Sequence, residues 1–312
     1  MANFLYPILG VPLALRIAIL LVLFSSPALA QPPIQVVVTL PVLKDFVEQV
    51  GGDHVLVHSM LTGLESEHTY TPRPSDIRVI QKAKLFVSIG LGLDGWIEPL
   101  IKNADADLYR VVASESVPLI PYHNSSGRVD VRAAHLGDPH IWLDPRNAMI
   151  MIHSITEGLV QIDPSHHKTY RQNEAKFIGQ LEQMTLALKV TISALPIQSR
   201  KIITHHQGWS YFARQFGFEI AGEILTHVET EGGADPSAKR MGELVRLMRR
   251  KKVGVIVSEP QYNPKMPETL AEETGARLVF LSLMPGTSSK TETYLALIRY
   301  NVETLVRALQ KR

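Results

Sequence analysis

The stretch from Ser165 to Ala194 limits the folds open to this chain more than any other segment. It is polar and rich in Gln and Glu, yet Tyr170, Phe177, Leu181, Met184 and Leu188 recur on one helical face. Asp163-Pro164 opens it, with proline where a helix starts most readily. A single helix of this length would run for roughly 45 Å at the usual rise. So long a helix predicts a spine joining two lobes. The expected division is a first lobe over residues 31–162, a rigid linker helix over 163–195 and a second lobe over 196–312.

The letters on both sides of the spine share one rhythm. Gln35 to Leu40, Val55 to Leu61, Leu85 to Ile89 and Leu108 to Val112 are short apolar runs suited to buried parallel strands. Val42, Leu43, Phe46 and Val50 have helical spacing and end at Gly51-Gly52, Asp94 to Ile101 reads as a helix, and Asp144-Pro145 starts one that reaches about Val160. Beyond Pro196, strands are expected at Lys201–Thr204, Ile220–Leu225, Val253–Val257 and Leu278–Leu281, with helices over 208–216, 238–250, 264–274 and 294–309. This alternation predicts an α/β protein of two lobes, each a four-stranded, mostly parallel sheet flanked by helices. The duplication is one of architecture and not of letters.

Residues 1–30 stand outside that plan. Ile17 to Phe24 is an apolar run, Arg16 is the one charge before it, and Ala28-Leu29-Ala30 has the form of a cleavage site. These features predict a secretory signal peptide cleaved near Ala30, too short for a stable membrane span. The leader holds one base and no acid, so the remainder carries 31 Lys and Arg against 30 Asp and Glu. Such a balance argues for neither nucleic acid nor an anionic membrane surface as partner. The absence of cysteine excludes disulfides, thiolate metal sites and a lipid-modified cysteine behind the leader. A free, soluble, exported monomer is expected, periplasmic if the source is a Gram-negative bacterium.

SEHTYTPRPSD, residues 66–76, sets His68 beside Glu67 and braces both. Pro72 and Pro74 fix their own φ and push Thr71 and Arg73 towards extended geometry. Ser75 offers an N-cap for a short helix carrying Ile77, Val79 and Ile80. Of the twelve histidines, two others have comparable surroundings. His140 follows Pro139 just ahead of the helix opened by Asp144, and His206 ends KIITHH, with His205 beside it as a competitor. All three fall near strand-to-helix junctions, the edge where open α/β sheets bind ligands. Converging neutral imidazoles make a borderline-soft nitrogen site that suits zinc. Asp138 and Asp144 can orient such imidazoles, although N-capping accounts for Asp144 equally well. His54, His58, His123, His153, His166, His167 and His227 lack organised surroundings, and Trp142, Trp209, Tyr211 and Phe212 read as core and cleft wall. The basic run at 249–252 reads as a solvated helix end.

SEHTYTPRPSD, DPHIWLDP, THHQGWSYFARQFG, EGGADPS at 231–237 and SEPQYNP at 258–264 resemble, in order and spacing, the zinc/manganese receptors of bacterial ABC importers. The likeness covers nearly the whole chain behind the leader. It implies a receptor, not an enzyme, that binds a metal ion outside the cytoplasm and hands it to a membrane permease. It also implies two α/β lobes on one long rigid helix, with the ion in the cleft. The family's histidine ligands match His68, His140 and His206, and His205 falls on a non-ligand position. The family's C-terminal aspartate falls near Ser282 in LSLMPG, which leaves the fourth ligand open among Glu67, Glu259 and water. Zinc-type members with Glu just before the first histidine are most similar, so Glu67 ranks first. Three imidazoles with at most one carboxylate favour Zn²⁺ over Mn²⁺. The rival readings are a manganese or iron receptor of the same family, a metal-independent chelate receptor, and a zinc-dependent hydrolase. No HExxH-type motif supports the last, and a chelate receptor would leave the histidines without a purpose. The stiff helix predicts small lobe motions.

Overall fold

Short β-branched runs become the centres of two parallel sheets. β1 (Ile34–Val38), β2 (Val55–Ser59), β3 (Leu85–Ser88) and β4 (Tyr109–Val112) pair in the order β2-β1-β3-β4. β5 (Lys201–Thr204), β6 (Glu219–Glu223), β7 (Val255–Ser258) and β8 (Arg277–Phe280) repeat it as β6-β5-β7-β8. Every pairing is parallel. In this order the chain leaves a central strand to one side and returns on the other, so the loops beyond the strands' C-terminal ends part and open a crevice. The structure is a computed structural model and describes residues 32–310 apart from 69, 105–106, 122–136 and 226–235. The expected leader, His123, His135, His227 and positions 231–235 of EGGADPS lie outside the described residues.

The first lobe's sheet is flanked by α1 (Pro41–Gly51), α2 (Pro74–Ile80), α3 (Glu98–Ala104) and α4 (Pro145–Ile162). The spine is α5 (His167–Ser193), preceded by a 3₁₀ turn over Pro164–His166. Its predicted stripe is buried, with Tyr170 and Leu181 fully so and Met184 the most accessible at 7%. At its entrance the Asp163 carboxylate accepts the Tyr170 hydroxyl and lies 2.6 Å from Nδ1 of His166. The second lobe adds α6 (Ser210–Phe216), α7 (Ala238–Lys251), α8 (Lys265–Thr274) and α9 (Tyr294–Gln310). Among the described residues no helix is long and apolar enough to cross a membrane.

One local expectation is corrected. Ser75 does not cap α2, which starts a residue earlier at Pro74. The cap is Asp76, whose Oδ2 accepts the Arg73 N–H at 2.7 Å and the Tyr70 hydroxyl at 3.0 Å. Proline at the first helical position moves the boundary forward, and a carboxylate two positions further on reaches back to the exposed amide.

The lobes share one dry core. α9 follows the second sheet yet packs on α5 and α1, where the Tyr294 and Phe46 rings meet edge to face at 4.9 Å. The Tyr294 N–H donates to Asp45 Oδ2 at 2.8 Å and its hydroxyl to the Trp142 carbonyl at 2.5 Å. The Trp142 indole N–H donates in turn to the Leu283 carbonyl at 2.8 Å. Gly63, at φ +98°, brings the loop after β2 against Met284, whose Cβ would lie 3.2 Å from any added side chain. A continuous buried cluster therefore crosses the junction and holds the two crevices facing each other.

Candidate metal centre

Three strand-to-helix connections deliver side chains to one point. Glu67 and His68 come from the loop between β2 and α2, which Thr62 steadies by donating from its N–H and hydroxyl to Glu65 at 2.9 and 2.7 Å. His140 immediately precedes a 3₁₀ turn, Ile141–Leu143, that leads into α4. His206 follows β5 across the cleft. Gly208 keeps this spot open, because a Cβ there would stand 2.5 Å from His206 Nε2.

Glu67, His68, His140 and His206 offer four ligand atoms that all lie within 4.8 Å of one another. Oε1 of Glu67 is 3.4 Å from Nε2 of His140 and 3.8 Å from Nε2 of His68. Nε2 of His140 and of His206 are 3.5 Å apart. A tetrahedral ion bound at about 2.0–2.1 Å asks for donors about 3.3–3.4 Å apart, so this spacing fits one small cation. Three of the four are almost fully buried, Glu67, His140 and His206 each being 1% exposed or less, and the His68 side chain is 6% exposed.

Buried carboxylates set the orientation of two of the rings. Asp138 Oδ1 lies 2.8 Å from Nδ1 of His140, and Glu259 Oε1 lies 3.1 Å from Nδ1 of His206. Each contact places the ring proton on Nδ1 and turns the Nε2 lone pair towards the common point. Among the described residues, the ion-pair partners of Glu67, Asp138 and Glu259 are all histidines. Three acids that face imidazoles make a pocket that a dication would neutralise. Burial pushes the Glu67 carboxyl up, but the His140 contact and the charge of His68 outweigh it and hold it at about 2. Burial pushes His140 down, yet Asp138 and Glu67 overcome this and raise it to about 9. A proton on His140 thus occupies the place of a cation.

The remaining sequence candidates take other roles. His205 is buried but turns away, with Nδ1 2.8 Å from the Ser258 hydroxyl, and burial lowers its pKa. Ser282 lies in a closed network, its N–H on Asn301 Oδ1 and its hydroxyl on the Met284 carbonyl and Thr287. Glu259 lies behind His206 and also accepts the Trp209 indole N–H. Asp144 caps α4 through the Arg146 N–H at 2.9 Å and pairs with the Arg146 guanidinium. Of the two aspartates, Asp138 is therefore the one that meets an imidazole. Tyr262 was not visible as a site residue from composition or spacing, although SEPQYNP contains it; its ring packs on His205 and His206.

The model of the periplasmic zinc-uptake complex component A family matches residues 36–308. The chain belongs to this family. The family consists of extracytoplasmic metal-binding receptors of ABC transporters and not of enzymes, so the hydrolase reading falls away. The chain is 26% identical to the iron-binding protein YfeA of Yersinia pestis, over 91% of this chain and 88% of that protein. It is 25% identical to the manganese-binding lipoprotein MntA of Halalkalibacterium halodurans, over 89% of each. A crystal structure of a ZnuA 138–173 deletion mutant with zinc bound is 26% identical, with a TM-score of 0.76 over 88% of this chain and 98% of that one.

Proposed function

We propose that Glu67, His68, His140 and His206 bind one Zn²⁺ ion as cargo, and that the protein passes it to the permease of an ABC importer. The observation that carries this reading is the convergence of three imidazole nitrogens and one carboxylate oxygen within 4.8 Å in a buried cleft. Nitrogen-rich, four-donor sites favour zinc, whereas manganese favours oxygen. Relatives whose names give iron or manganese as the ligand make cation choice the point to test. In this reading residues 1–30 are an export leader removed near Ala30, and residues 31–162, 163–195 and 196–312 act as lobe, spine and lobe of a monomeric periplasmic receptor.

Chelator-competition titration of the purified protein with Zn²⁺, Mn²⁺ and Fe²⁺ tests the reading. One Zn²⁺ per chain, bound more tightly than the other two, is expected. Zero stoichiometry, or tighter binding of Mn²⁺ or Fe²⁺, overturns it. Loss of binding in both His140→Ala and His206→Ala is expected as well.

A further inference from the structure

Tyr262 belongs to the connection between β7 and α8 in the second lobe, and its ring lies 5.3 Å from that of His205 and 5.1 Å from that of His206. Its hydroxyl oxygen is buried and makes no well-aligned hydrogen bond among the described residues, with the Ser66 side chain as a polar neighbour. Across the cleft, neither oxygen of Glu67 accepts a well-aligned hydrogen bond, although Oε1 lies 3.4 Å from Nε2 of His140. The phenol can donate one hydrogen bond, and its ring packs on His206, whose donor nitrogen lies within 4.8 Å of the Glu67 ligand oxygen.

A buried hydroxyl and a buried carboxylate in one cleft, neither with a well-aligned hydrogen bond, call for an explanation. A cation held by one oxygen of Glu67 leaves the other oxygen still in need of a donor, and ligating carboxylates are themselves usually hydrogen-bonded. We infer that Tyr262 is a positioning residue for the fourth donor: its hydroxyl donates to the Glu67 oxygen that does not hold the metal. His140 has Asp138 behind it and His206 has Glu259, and Tyr262 completes the pattern for Glu67. Ser282 is committed to its own network. Tyr262 thus lets the second lobe control a ligand that the first lobe supplies.

The inference rests on Glu67 being a ligand, and the test separates the two claims. Tyr262→Phe removes one oxygen and keeps the ring packed on the two imidazoles. Zn²⁺ affinity and release rate are measured for this variant in the wild-type and Glu67→Ala backgrounds, together with thermal unfolding of the metal-free proteins. Affinity roughly fivefold to thirtyfold weaker in the wild-type background is expected, with less than a twofold change in Glu67→Ala. Metal-free unfolding should not move. Unchanged affinity and release in the wild-type background overturn the inference, as does an equal loss in both backgrounds. A loss in Glu67→Ala without one in Tyr262→Phe overturns the role of Tyr262 alone. No loss in either removes Glu67 from the ligand set and leaves the three histidines standing. Should Glu67→Ala bind too weakly to measure, release from Tyr262→Phe decides: a rate equal to wild type overturns the inference, and faster release with unaltered metal-free unfolding upholds it.

Discussion

Glu259 Oε1 stands 3.1 Å from Nδ1 of His206 and also accepts the indole N–H of Trp209, so one buried carboxylate fixes both the tautomer and the tilt of an imidazole. The two residues leave neighbouring strands of one sheet, β5 and β7. Rigid backbone pairing therefore sets their separation.

Glu259→Ala should weaken Zn²⁺ binding about tenfold to a hundredfold while the stoichiometry stays at one. It also strands the Trp209 N–H, a cost of about 1–3 kcal/mol in stability. Chelator competition and denaturant unfolding read the two effects separately. Wild-type affinity in this variant would show that His206 needs no orienting partner.

Glu67→Ala should reduce affinity for both Zn²⁺ and Mn²⁺, and for Mn²⁺ by the larger factor. It removes the one oxygen donor and leaves three nitrogens, which soft preference matches to zinc. Competition titrations of the two ions on the same preparation give the ratio. A ratio that does not move would assign the fourth position to something other than this carboxylate.

Metal binding should release a proton at neutral pH. The metal-free His140 has its pKa raised to about 9 and so carries a proton below that pH, whereas Glu67, held at about 2, is already ionised. A cation must displace the His140 proton, so apparent affinity should rise with pH, by about tenfold per unit below pH 9 for one proton. Calorimetry at pH 7 in buffers of different ionisation enthalpy counts it. A heat independent of buffer would place the proton elsewhere.

Tyr294→Phe should destabilise the protein without altering metal stoichiometry. Its hydroxyl donates to the Trp142 carbonyl, and loss of one buried hydrogen bond costs about 1–3 kcal/mol, or a few degrees in Tm for a chain of this size. Thermal unfolding with and without Zn²⁺ measures it. Because dry core crosses the lobe junction, small-angle scattering of the wild type should show little change in radius on loading. A large contraction would contradict the packing around Trp142 and Tyr294.

Much of the architecture was legible because it rests on local periodicity. The apolar stripe of α5 and the β-branched runs of the two sheets depend on neighbours a few residues away, and the described elements follow them closely. Element boundaries were less legible. Ser75 looked like a cap, but the helix already starts at Pro74 and Asp76 reaches back to the Arg73 amide, a shift of boundary that the letters do not decide. The path of α9 was not legible either, since its stripe would suit either lobe and only packing sends Tyr294 to Phe46.

The site divides along the same line. The sequence by itself determined which chemistry was present: three histidines at strand-to-helix junctions, Glu67 beside the first, and no thiol. Only the tertiary structure decided which groups meet. It gathers His68, His140 and His206 around Glu67, separates Asp138 from Asp144, and places Glu259 behind a ring instead of in front of it. It also turns Ser282 into its own network and brings Tyr262 to the same cleft. The physical reason is distance along the chain. Local propensity acts over a few residues, whereas these contacts join segments dozens of residues apart that meet only when two sheets and a shared core hold their loops face to face.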